Sequence, residues 1–162
     1  MPTQSVVVTS KVIGRRTVRY ESFDELLAEV EQFANLPTRT LGNWSVGQIY
    51  KHMALAIDAI IHGGPFSVPA PVQWLLRVFL KKRMLTRTLD PGFQLPKKAA
   101  SMIPAPISTA EGLDLLRAAV RRIQSTDTRS LHGGFCKITN EEWDAFQFRH
   151  CEMHMSFIVP AK

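Results

Sequence analysis

Trp143-Asp144-Ala145-Phe146-Gln147-Phe148-Arg149-His150-Cys151-Glu152-Met153-His154-Met155-Ser156-Phe157 is the stretch whose reading decides the fold. Trp143, Phe146, Gln147, His150, His154 and Phe157 recur at helical spacing and fall on one side. His150 and His154 are four residues apart, so they project about 40° from each other around the axis. Side chains so placed are neighbours, with Cβ atoms ~6 Å apart. Two such imidazoles can share one metal ion at ~2.0–2.1 Å from each nitrogen. The aromatic company makes the histidine face the expected inward face. Inward histidines need partners, which sends the search for a third ligand to the rest of the chain.

The same stretch is preceded by Thr139-Asn140-Glu141-Glu142, a capping box in which hydroxyl and carboxylate satisfy free backbone N–H groups reciprocally. Three earlier segments carry the same signal: Ser22-Phe23-Asp24-Glu25, Ser45-Val46-Gly47-Gln48 and Ser108-Thr109-Ala110-Glu111. Each opens an apolar stripe of helical period. The first is Phe23, Leu26, Val30 and Phe33, the second Ile49, Met53, Ile57 and Ile60, the third Leu113, Leu116, Val120 and Ile123. Pro37, Gly63-Gly64-Pro65 and Pro160 mark ends. No stretch reads as a central strand. Four amphipathic stripes predict an all-α fold, a four-helix bundle that buries them together.

The remaining chain is arranged around this bundle. Residues 1–162 read as a single domain, with 1–20 as an N-terminal extension and 65–107 as an insertion between bundle helices 2 and 3. The insertion is rich in proline and contains one expected helix over 71–87. That helix is expected to pack its apolar side on the body and leave its basic end, Lys81-Lys82-Arg83, in solvent. A membrane-surface or partner-binding helix is the alternative. The connection over 88–107 is expected to lie across the body, anchored by Phe93, Leu95, Met102 and Ile103.

Bulk properties narrow the function classes. Apolar content of 45% and charged content of 21% fit an ordinary globular chain rather than a disordered one. A net charge of +6 is compatible with plain solubility, so nucleic acid is not the expected partner. Two cysteines, Cys136 and Cys151, without a Cys-x-x-Cys pair, fit a reducing compartment. No signal peptide and no apolar run of the ~20 residues a membrane span needs are visible, so a cytoplasmic location is expected.

His52 lies on the stripe of the second helix, between Ile49 and Ala56. With His150 and His154 it makes three imidazoles on inward stripes of facing helices, where bundles place metal sites. A three-histidine set leaves a coordination position open, as catalytic sites do. Zinc is the first expectation. Nickel, iron and manganese are the alternatives. His62 and His132 are expected in solvent. Cys151, Cys136, Asp58 and Glu152 complete the chemistry-bearing residues nearby. Cys151 is expected as a small packed residue and Glu152 facing outward.

The stretch Asn43-Trp44-Ser45-Val46-Gly47-Gln48-Ile49-Tyr50-Lys51-His52 resembles the second-helix signature of the DinB/YfiT-like superfamily. Arg149-His150-Cys151-Glu152-Met153-His154 resembles the histidine pair of its fourth helix. Gly14-Arg15-Arg16, Lys82-Arg83-Met84-Leu85, Pro91-Gly92-Phe93 and Asn140-Glu141-Glu142-Trp143 are similar to a bacterial subfamily with no assigned function. The resemblance implies a four-helix bundle, often a homodimer, with a divalent metal on His52, His150 and His154. It also implies a small-molecule substrate, and either hydrolysis or S-transfer with a low-molecular-weight thiol. A non-catalytic metal- or ligand-binding bundle, and an interaction protein using its basic inserted helix, remain the competing readings.

Overall fold

The computed structural model describes residues 6–161; the first five residues of the expected N-terminal extension lie outside them. The elements are α1 (Phe23–Ala34), β1 (Thr38–Thr40), α2 (Val46–His62), α3 (Ala70–Phe79), α4 (Lys81–Thr86), α5 (Thr109–Gln124), α6 (Asn140–Met155) and β2 (Ile158–Pro160). Short 3-10 turns sit at Thr9–Lys11 and Lys97–Met102. The fold is all-α apart from one small strand pair.

The capping boxes start the helices as expected. Ser45, Ser108 and Thr139 accept from the backbone N–H of Gln48, Glu111 and Glu142, and those side chains reach back to the cap N–H. The box of α1 is only half formed. Ser22 accepts from the Glu25 N–H, but the Glu25 carboxylate accepts from the N–H of Glu21, one residue too early.

Around the bundle the order is α1, α5, α2, α6. Helices α2 and α5 are parallel. Gly47 and Gly112 meet at their starts, and Asp58 pairs with Arg122 near their ends at 2.6 Å. The close approach needs glycine on both sides: a Cβ on Gly112 would lie 2.5 Å from the Gly47 carbonyl oxygen. Helix α1 runs antiparallel to α5, since Gln124 donates to Asp24 and Arg117 to Glu31. Helix α6 runs antiparallel to α2: His52 meets His150 at one level, and at the other Ser130 bridges the Ile60 carbonyl and the Trp143 indole N–H. Leu26, Val30, Met53, Ile57, Ile60, Leu116, Val120 and Met155 are fully buried between these helices. Burying each is worth ~1.5–3 kcal/mol.

Parallel α2 and α5 force the intervening chain back along the bundle. It descends beside α6, where Lys81 pairs with Glu142 and the Leu89 N–H donates to the Arg149 carbonyl. It then crosses α2 at the Lys97–Met102 turn, and Gln48 donates to the Pro104 carbonyl at 3.0 Å.

Several expectations are corrected. The helix expected over 71–87 is two, α3 and α4, broken at Leu80, whose φ of −115° departs from helix geometry. Helix α3 leaves its apolar side in solvent, whereas α4 half-buries Met84 and Leu85 beside α6 and leaves Lys82 and Arg83 exposed. Phe93 and Ile103 do not anchor the connection, being 73% and 55% exposed. Buried Ala99 and Pro104 do. Strands β1 and β2 were not expected. They pair antiparallel, Thr38 opposite Pro160 and Thr40 opposite Ile158, and tie the chain after α6 to the α1–α2 link. On α6 the histidine face is covered as expected, with Trp143 and Gln147 buried and His150 and His154 half-buried, and the adjoining side, with Phe148, Cys151, Glu152 and Met155, is buried as well.

Candidate metal centre

His52 comes from the second turn of α2 and His150 and His154 from the last turns of α6. The antiparallel packing of these helices sets the three rings at one level. His52 Nε2 is 3.4 Å from His150 Nε2, which is 3.0 Å from His154 Nε2. One donor atom of each ring lies within 4.8 Å of the others. Two nitrogens held ~2.0–2.1 Å from a tetrahedral metal are ~3.3 Å apart, so both observed separations suit a shared ion.

The His52 tautomer is fixed by its surroundings. Its Nδ1 lies 2.8 Å from the Met102 carbonyl oxygen. A carbonyl only accepts, so Nδ1 carries the proton and Nε2 presents its lone pair to the other rings. Met102 sits in the Lys97–Met102 turn, held in place by buried Ala99. Trp44, immediately before the α2 cap, closes one side. Its ring stacks on His154 at 5.6 Å and 13°, and contacts His52 at 4.8 Å.

Burial keeps the rings neutral. It pushes His150 down to about 3, with the nearby His52 adding to the effect. Burial holds His154 well below the ordinary histidine value, and then His150 and His52 lower it further. His52 is lowered by burial, partly offset by the Met102 carbonyl. Neutral imidazole is the form that ligates a metal, so the donor set fits a divalent cation.

The other candidate residues are occupied elsewhere. Asp58 forms a two-point pair with Arg122, at 2.9 and 2.6 Å. It lines a cavity of about 400 Å³ with Leu55, Ala59, His62 and Met102, to which none of His52, His150 and His154 contributes. His62 is exposed, as expected. Glu152 does not face outward: it is fully buried, accepting from Arg149 at 2.9 Å, Thr88 at 2.6 Å and the Tyr20 N–H at 2.9 Å. Its neighbour Cys151 is packed as expected, and burial pushes its thiol up to about 12.

His132 was expected in solvent and is buried instead. The chain closes a tight loop there, with reciprocal backbone bonds of 2.7 and 2.8 Å between His132 and Cys136. The His132 Nδ1 accepts from the N–H groups of Gly134 and Phe135. Its ring packs on Phe135, Trp143 and Phe146. Sequence reasoning also missed the roles of Trp44 and Met102. A tryptophan just before a capping box that leads to a histidine was a usable signal; a backbone carbonyl fifty positions away gave none.

No curated protein and no solved structure matches the chain. Residues 12–161 match the family described as "Protein of unknown function (DUF1569)", and this span covers nearly all of the chain, which therefore belongs to that family.

Proposed function

We propose that His52, His150 and His154 hold a divalent metal ion, zinc first among zinc, nickel, iron and manganese, in a metal-dependent enzyme of the DinB-like type acting on a small molecule. The observation that carries this is the convergence of three Nε2 atoms, with the His52 tautomer set by the Met102 carbonyl. Such an ion, when bound, supplies a Lewis acid that eases deprotonation of water or of a thiol. The protein's own residues orient and desolvate: Trp44 covers His52 and His154, and burial keeps all three imidazoles unprotonated.

The nucleophile in this reading comes from outside the chain. Cys151 is buried with a raised thiol pKa, Asp58 is committed to Arg122, and Glu152 to Arg149. That favours S-transfer with a low-molecular-weight thiol, or hydrolysis by water, over an internal cysteine mechanism. The likeness of the Asn43–His52 and Arg149–His154 stretches to DinB-like proteins supports the same reading.

The test is metal content. Untagged protein, supplied with zinc, nickel or manganese and then desalted, is expected to retain one divalent ion per chain. His150→Ala and His154→Ala should lose it while keeping their helical circular dichroism. Wild-type protein without a stoichiometric ion sinks the proposal. Turnover of electrophiles with a panel of thiols, compared between loaded wild type and His154→Ala, then separates an enzyme from a binding bundle.

A further inference from the structure

Helix α3 rests on the protein through Gln73 and Leu76 and leaves its larger apolar side in solvent. Gln73 donates to the Gly133 carbonyl, and half-buried Leu76 lies beside Gly134. Pro71, Trp74, Leu75, Val78 and Phe79 share an arc of ~140° on the other side, and all are exposed. Trp74 is 61% and Phe79 70% exposed. Large aromatic side chains in water at this density mark a contact surface rather than chance exposure.

Charge identifies what the surface meets. Residues 63–89 contain five basic residues, Arg77, Lys81, Lys82, Arg83 and Arg87, and no acidic one. Lys81 is held by Glu142 and Arg83 by Asp90, while Lys82 and Arg87 are exposed. A shallow cavity of about 290 Å³ opens at the junction of α3 and α4, lined by Arg77, Lys81 and Lys82 next to Val78, with Glu142 at its wall. A second copy of the chain is a poor occupant. An isologous contact through this face would set two patches of the same positive charge against each other. An extended anionic surface has no such conflict.

We infer that α3 and α4 seat this protein on an anionic lipid surface. Trp74, Leu75 and Phe79 enter the boundary between headgroups and acyl chains, and Lys82 and Arg87 contact lipid phosphates. This is the pattern of an interfacial amphipathic helix, aromatic and aliphatic on one side and basic beside it. The segment lies on the membrane, since no described helix is long and apolar enough to cross one. The inference stands independently of the metal centre.

Vesicle co-sedimentation of the full chain tests it. Binding is expected to vesicles containing phosphatidylglycerol and to be at least tenfold weaker to phosphatidylcholine alone, with salt reducing the first. Trp74 emission should shift to the blue on binding, and Trp74→Phe should remove that shift. Lys82→Glu and Arg87→Glu should each weaken binding about fivefold or more. Trp74→Ser combined with Phe79→Ser, both exposed and so tolerated by the fold, should abolish it. Absence of binding to either vesicle overturns the inference, as does binding that survives the serine pair. Sedimentation showing a dimer that the serine pair dissociates assigns the surface to a second copy instead, and overturns it too.

Discussion

The Nδ1–H of His52 donates to the backbone carbonyl of Met102 at 2.8 Å, so the α2 imidazole proposed as a ligand takes its orientation from a segment fifty residues later. This relationship can be broken without touching any of the three histidines. Ala99, 1% exposed, fixes the turn that carries Met102. Ala99→Arg is expected to displace that turn and lower metal affinity by about 10–100-fold, the usual cost of losing an outer-shell partner. A competition titration against a chromogenic chelator measures it. Unchanged affinity would mean that the Met102 contact does not set the His52 ring.

Arg149 and Glu152 form a buried ion pair in which Glu152 has its acceptor sites filled, whereas Nε and Nη1 of Arg149 find no partner among the described residues. Glu152→Ala leaves the buried guanidinium with only the exposed Glu21 carboxylate, 3.9 Å away, and is expected to cost about 3–5 kcal/mol. Replacing both, as Arg149→Met with Glu152→Leu, should recover most of that loss. Urea unfolding of the single and double variants reads the difference, and an undiminished penalty in the double variant would contradict this account of the pair.

Gly47 and Gly112 allow the starts of α2 and α5 to touch through their backbones. In an isolated helix, glycine to alanine gains ~1 kcal/mol. Here the added methyl meets backbone oxygen at 2.5 Å, and neither atom lies on a flexible side chain. Gly112→Ala should therefore destabilise by about 1–3 kcal/mol, seen as a lower denaturation midpoint. A rise in the midpoint would mean that the helices can separate cheaply.

His132 predicts an acid sensitivity independent of the proposed metal site. Burial lowers its pKa to about 4, against about 6.5 in the unfolded chain. Below pH ~6.5 the unfolded state takes up the proton first. The stability contributed by neutral His132 is thus complete above that pH, declines as pH falls, and is gone near pH 4. By linkage the loss reaches about 2 kcal/mol at pH 5. His132→Asn, which keeps an acceptor near the Nδ1 position, should be less stable at neutral pH for want of the ring's packing. Its stability should nevertheless fall less steeply between pH 6.5 and 4. An unchanged slope would show that other groups govern acid unfolding.

What the sequence disclosed follows the range of each signal. The starts of α2, α5 and α6 rest on contacts between residues three apart, and their boxes formed as read. In α1 the same pattern misled by one residue, because Glu21 competed for Glu25. The three histidines could be placed on stripes, and their meeting at one level is what antiparallel α2 and α6 add. Amphipathicity says that a helix has two faces but not which one the protein takes, and α3 turns Gln73 and Leu76 inward rather than its broad apolar side. Glu152 was misread because its partners Tyr20 and Thr88 come from distant segments. Strands of three residues joined across most of the chain leave no periodicity to detect.

The parallel course of α2 and α5 also sets a length requirement. The chain leaving α2 must retrace a 17-residue helix, ~25 Å at 1.5 Å per residue. Fully extended, ~8 residues would bridge that distance. Residues 63–108 do so instead, most of them surplus to connectivity. From that surplus come the Met102 carbonyl, the Thr88 hydroxyl on Glu152 and the outward apolar side of α3. Shortening this crossover would leave the bundle topologically closed while removing the parts that distinguish it from a bare scaffold.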